Sequence, residues 1–153
     1  MTKIETGTEV MLGRREGRVA VLTFNRPEAR NALHPDTYSA LEHLLPTLAE
    51  DADVGAVMLT GAGGAFCAGG DVKGMNARNS GKAASPTSLE SAVDNLRARQ
   101  RSVSAALHNF PKVTVAAIDG AAAGAGLSIA LACDLRVASP RAIFTTAFAK
   151  VGF

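Results

Sequence analysis

One pattern restricts the fold of this chain more than any other: a β-branched apolar run, a glycine-rich turn and a helix-forming segment, in that order, twice. The first copy leads from residues 54–60 into Gly61-Ala62-Gly63-Gly64 and Phe66-Cys67-Ala68-Gly69-Gly70-Asp71, with a short helix predicted over 72–75. The second leads from residues 113–118 into Asp119-Gly120-Ala121-Ala122-Ala123-Gly124-Ala125-Gly126, with a small-residue helix over 127–132. Strand, turn and helix in repeated succession call for an α/β fold. Glycine and alanine at the turns allow close backbone approach. The first amides of a helix lack internal partners and lie at the positive end of its dipole, so two such turns can offer two donors to one developing oxyanion.

The remaining elements follow from periodicity. Residues 9–12 and 18–24 flank a polar segment, 13–17, and the second run alternates Val19, Val21, Thr23 against Ala20, Leu22, Phe24, which predicts an antiparallel hairpin. After the turn Asn25-Arg26-Pro27-Glu28, Tyr38, Leu41, Leu44, Leu45 and Leu48 recur at helical spacing, so 35–49 is expected as a helix that starts at a proline. Residues 76–87 carry no apolar period and predict a mobile surface loop. Leu89, Val93, Leu96, Val103 and Leu107 predict one long amphipathic helix over 88–109, with Pro111 beyond its end. Short strands are expected over 135–138 and 143–145, around Ser139-Pro140. The ending Val151-Gly152-Phe153 has no terminator character and suggests a fragment.

Composition narrows the function classes. Sixteen basic and fourteen acidic residues are interspersed for a net charge of +2, which argues against nucleic acid as the main partner. Residues 1–11 hold Lys3, Glu5 and Glu9 without a long apolar core, so no signal peptide is read there. The most apolar stretch, 116–133, is broken by Asp119, glycines and Ser128 and makes a poor membrane span. A cytoplasmic location is the expectation. Cys67 and Cys133 lie far apart without metal-like spacing and are expected as buried thiols, and no metal site is predicted.

Other glycine-rich chemistries fit poorly. Gly124-Ala125-Gly126 is followed by Ile129 where a dinucleotide fingerprint needs Gly or Ala, and residues 61–70 lack the Gly-Lys-Ser/Thr ending of a phosphate loop. Gly126-Leu127-Ser128-Ile129-Ala130 resembles a nucleophile elbow with Ala last, but Ser128 would sit inside a helix. His34 is expected beside a helix start, and His43 and His108 on amphipathic helices, none at a recognisable spacing from a nucleophile. Asp71 is expected to cap the helix after the first turn, and Asp134 to fix the turn into the next strand.

Three motifs in order, Asn25-Arg26-Pro27 with Asn31-Ala32-Leu33, then Ala65-Phe66-Cys67-Ala68-Gly69-Gly70-Asp71, then Ile118-Asp119-Gly120 with Gly124-Ala125-Gly126 and Ala132-Cys133-Asp134, resemble the crotonase superfamily, the enoyl-CoA hydratase/isomerase family. The resemblance covers essentially the whole chain and matches that family's N-terminal portion. It implies a spiral of ββα units, here ending before the C-terminal helices, that binds an acyl-CoA thioester and assembles as trimers or dimers of trimers. Coenzyme A would enter as part of the substrate, with no separate cofactor. The amides of Ala68 and Ala125 match the family's oxyanion-hole positions. Arg30, Ala32, Ala68, Gly69, Gly70, Asp71 and Val72 match the CoA-lining positions, joined at the acyl group by Gly124, Ser128 and Phe148. Arg26 or Arg30 could reach a phosphate, although each taken singly reads as a solvated charge.

The departures bear on mechanism. Hydratases of the family carry two glutamates where this chain has Ser128 and Phe148, and neither a hydroxyl nor a phenyl ring is a base near neutral pH. Two-glutamate hydration is therefore disfavoured. Residues 145–152 resemble the branch of double-bond isomerases and ring-opened phenylacetyl-CoA isomerases, which use a single acid from the following loop. An isomerase-type double-bond shift is the leading expectation, with the base outside this chain. Enoyl-CoA hydratase by family label, a non-catalytic acyl-CoA-binding or assembly protein, and a serine hydrolase built on Ser128 are the alternatives.

Overall fold

A computed structural model of the 153-residue chain describes residues 1–71 and 88–147. The chain opens with β1 (Thr2–Ile4), β2 (Met11–Glu16) and β3 (Val19–Phe24), followed by a 3₁₀ turn at Pro27–Ala29 and α1 (Pro35–Glu50). Next come β4 (Ala56–Gly61) and α2 (Leu89–Gln100), which continues through a π-helical turn, Arg101–Ala105, into a last turn, Ala106–His108. The second glycine turn lies among β5 (Val113–Ile118), β6 (Ala121–Ala123) and α3 (Ala125–Ala132), and β7 (Leu135–Ala138) and β8 (Ile143–Thr145) complete the described elements.

One sheet of six strands runs β1-β2-β3-β4-β5-β7, and β6 pairs with β8 in a second, smaller sheet. The hairpin β2–β3 is antiparallel, with Met11 opposite Phe24 and Glu16 opposite Val19. Steps β3–β4, β4–β5 and β5–β7 are parallel, as required when a helix returns the chain to the same edge direction. The polar segment 13–16 is strand rather than turn: residues 13–15 sit between β1 and β3, Glu16 pairs with β3, and the reversal is confined to Gly17 and Arg18. β1 and β6 have no apolar alternation of their own and arise from pairing alone.

The core lies between the sheet and α1, whose Leu41, Leu44, Leu45 and Leu48 are buried against Leu22, Phe24, Val57 and Leu59, with Tyr38 half-buried at the margin. His34 caps α1 by accepting the Asp36 N–H at 3.3 Å. α2 departs from its predicted face. Val103 and Leu107 are buried, but Val93 and Leu96 are 37% and 58% exposed, because packing against the body begins only at the π turn. Outside the core, Arg99 lies 5.1 Å over the Tyr38 ring and tethers the projecting part. The predicted helix over 72–75 and loop over 76–87 lie outside the described residues.

Candidate functional site

The first glycine turn is built by the segment that precedes α1. Arg30 and Asn31 both adopt left-handed backbone, φ 50° and 58°, a conformation that asparagine tolerates better than most residues. Asn31 is 2% exposed, and its carboxamide is saturated along one edge: Oδ1 accepts the Arg26 N–H at 2.8 Å, while Nδ2 donates to the Ala62 and Ala65 carbonyls, each at 2.8 Å. Sequence reading placed Asn31 in a motif without giving it a task; its polar side chain between apolar neighbours was the available signal. Arg26 is not a solvated charge. Its Nη1 donates to the Ala32 carbonyl at 3.0 Å and to Asp71 Oδ2 at 3.2 Å, with both side chains mostly covered. Asp71 therefore closes this turn, and the cap expected of it concerns a helix outside the described residues.

The two glycine turns meet. Phe66 and Cys67 both donate their amides to the Ala121 carbonyl at 3.0 Å, and Ala123 returns one to Cys67 at 2.9 Å, so the first turn is laced onto β6. Gly126 stacks so tightly on the first turn that an added Cβ would lie 2.3 Å from the Cys67 carbonyl oxygen. At Gly69, φ is +92° and an added Cβ would lie 2.7 Å from the Ala123 oxygen and 3.3 Å from the Ala125 nitrogen. Both close approaches require a residue without a side chain.

The backbone hydrogen bonds differ from the sequence expectation at Ala68. The Ala68 N–H donates to the Arg30 carbonyl at 3.0 Å, so it is occupied. The Gly69 N–H is turned toward the Cys67 sulfur. Leu33 bridges Gly70 in parallel and donates its amide to the Gly69 carbonyl at 2.8 Å. In such a ladder the residue at the bridge centre turns its own N–H to the opposite side. Of the amides from 66 to 70, that of Gly70 has no acceptor among the described residues. The Ala125 amide, first in α3, is likewise without an acceptor there, and Gly124 before it donates to Thr145 at 3.0 Å. Among the described residues, the donors left open where the two turns meet are thus Gly70 and Ala125, and Ala68 is occupied.

Arg30 is exposed at the rim and Ala32 half-buried beside it, while Gly69, Gly70, Asp71, Gly124, Ala125 and Ser128 come together around the two turns. Val72 and Phe148 lie outside the described residues. Ser128 sits within α3 and its Oγ donates back to the Gly124 carbonyl at 3.3 Å, which is the geometry of a helical serine and not of a nucleophile elbow. The carboxylates nearby are engaged. Asp119 forms a bidentate pair with Arg141, which holds its carboxyl below the usual range. Asp134 Oδ2 accepts both the amide and the hydroxyl of Thr114 at 2.8 Å, as expected of a turn-fixing residue, and these bonds lower its pKa.

Burial pushes the Cys67 thiol up to about 12, and the Gly69 N–H offsets part of that rise. Burial likewise lifts Cys133 to about 11. Both are free and buried, as expected, and neither is a thiolate near neutral pH. A cavity of about 620 Å³ among the described residues lies between Lys3 and Arg14 and touches neither glycine turn. No described helix is long and apolar enough to cross a membrane.

Comparison with known proteins agrees with this architecture. Residues 14–153 match the family model described as enoyl-CoA hydratase/isomerase. A short-chain-enoyl-CoA hydratase of Clostridium acetobutylicum is 37% identical over 131 residues, covering 85% of this chain and 46% of its own. A 1,2-epoxyphenylacetyl-CoA isomerase of Escherichia coli is 35% identical over 145 residues, 94% of this chain and 53% of its own. A crystal structure of an enoyl-CoA hydratase/isomerase from Marinobacter aquaeolei superposes with a TM-score of 0.83 at 30% identity, over 95% of this chain and 54% of that one. The chain spans about half the length of these proteins. A repeated strand–turn–helix pattern, two laced glycine turns and a match over nearly all its residues place this chain in the enoyl-CoA hydratase/isomerase family.

Proposed function

We propose that the chain binds an acyl-CoA thioester and holds its carbonyl oxygen between the amides of Gly70 and Ala125. The observation that carries this reading is the pair of unpaired donors on two turns in contact, at a point where glycine is required. Donors fixed before reaction stabilise an enolate oxygen without reorganisation, and removing one such donor typically costs about 3 kcal/mol of barrier. The Ala68 amide would first have to break its bond to Arg30, a cost of about 1 kcal/mol. Arg30 and Ala32 at the rim, with Val72 on the adjoining segment, are the proposed contacts of the CoA moiety.

The favoured reaction is an isomerase-type double-bond shift. Hydration needs one group to activate water and another to protonate carbon. Ser128 occupies one of the two positions concerned, Phe148 the other, and Asp119 and Asp134 are held by Arg141 and Thr114. A shift needs only one carboxylate to remove a proton and return it, and that group lies outside the described residues. The assembly proposed is a homotrimer or hexamer.

Calorimetry with butyryl-CoA and with free CoA tests binding; absence of heat for both removes the acyl-CoA reading. Conversion of 3-enoyl-CoA to 2-enoyl-CoA, with little 3-hydroxyacyl-CoA formed, supports the shift. Rapid hydration of the 2-enoyl form would instead establish the hydratase, and binding without turnover a purely binding protein.

A further inference from the structure

We propose that Asn31, assisted by the Arg26–Asp71 pair, is the positioning element that selects which amide of the first glycine turn is presented to a ligand. The inference concerns the turn itself, and its bearing on catalysis rests on the thioester reading given above. Two consecutive left-handed residues, Arg30 and Asn31, direct the Arg30 carbonyl at the Ala68 N–H. That single bond removes Ala68 from the set of available donors. It also fixes the register in which Leu33, three residues after Arg30, meets the carbonyl of Gly69, one residue after Ala68, and so leaves the Gly70 N–H facing away from Leu33.

The backbone holds Arg30 and Asn31 locally, through Arg30 N–H to the Pro27 carbonyl at 3.0 Å and Asn31 N–H to the Arg26 carbonyl at 2.8 Å, and the Asn31 carboxamide is what fastens that turn to the first glycine turn. It ties residue 26 on one side of the turn to residues 62 and 65 on the other, inside a nearly water-free site. The Arg26 guanidinium repeats the tie one layer outward, joining the Ala32 carbonyl to Asp71, the residue immediately after Gly70. Gly70 is therefore gripped from both sides: at Gly69 through Leu33, and at Asp71 through Arg26. Asparagine suits the position because one side chain supplies an acceptor and two donors while accepting positive φ. Aspartate keeps the acceptor only, and glycine keeps the backbone conformation only.

Asn31→Gly separates these contributions, since it preserves φ and deletes the three side-chain bonds. Amide hydrogen exchange of the parent is expected to show Ala68 protected and Gly70 not. In Asn31→Gly, protection at Ala68 is expected to fall about tenfold or more, equivalent to one lost hydrogen bond, while β3 and β4 keep theirs. Where that variant does not fold, Asp71→Asn, at the mostly covered outer tie, is expected to lower Ala68 protection selectively by a smaller factor. A positioning role further requires that butyryl-CoA affinity fall in Asn31→Gly while free CoA affinity, which involves no thioester carbonyl, is kept. An Ala68 amide that stays protected in a folded variant overturns the proposal, as does an equal loss of both ligands. A parent that binds neither ligand removes the thioester reading alone, because the exchange pattern still decides the role of Asn31.

Discussion

Gly69 is the residue on which the approach of the two turns depends. A side chain there meets the Ala123 carbonyl at 2.7 Å in a backbone conformation, φ +92°, that L-residues rarely adopt. Gly69→Ala is expected to destabilise the chain by about 1–3 kcal/mol, read by urea denaturation, and to weaken thioester binding more than free CoA binding. Beneath it, Cys67 makes a second prediction. Its thiol is raised from 9.0 to about 12 by burial, so the folded state retains a proton that the unfolded chain releases. The associated stability is complete below pH 9 and is lost as pH rises from there through 12. Unfolding free energy should fall as pH rises from 9 towards 12, and Cys67→Ala should flatten the slope. At the opposite end, the lowered pKa of Asp134 stabilises the fold above 3.8 and the contribution disappears as pH falls below it. Asp134→Asn should diminish the acid-side loss in the same titration.

At the level of elements, the strands with their own apolar run were legible in the sequence: 113–118, 135–138 and 143–145 coincide with β5, β7 and β8. So was α1, where five apolar positions share one face. β1 and β6 were not, because Thr2–Ile4 and Ala121–Ala123 become strands through partners that only the tertiary fold supplies. The amphipathic stripe of 88–109 was read correctly as helix, yet periodicity identifies a face and not what covers it, so the exposure of Val93 and Leu96 could not be foreseen. The same limit applied at the site. Sequence located both glycine turns, but a motif cannot state which amide is already donating, and the carbonyl that occupies Ala68 comes from a residue 38 positions earlier.

On the scale of the whole molecule, burial separates two kinds of leucine. Leu59, in a central parallel strand, is fully buried, whereas Leu135 on the edge strand β7 is 56% exposed. Leu59→Ala should cost about 2–5 kcal/mol and Leu135→Ala about 0.5 kcal/mol or less, both from urea melts. Leu131, Val137, Ile143 and Phe144 are exposed like Leu135, in contrast to the closed core between α1 and the sheet. The two turns are laced together where β4 and β5 end, and the proposed oxyanion site lies there. Proton–nitrogen correlation spectra of glycine- and alanine-labelled protein, titrated with butyryl-CoA and with its thioether analogue lacking the carbonyl, test that assignment most directly. Downfield movement of the Gly70 and Ala125 amide protons with the thioester, and not with the thioether, is the expected result. Movement of Ala68 with Gly70 unchanged would contradict it.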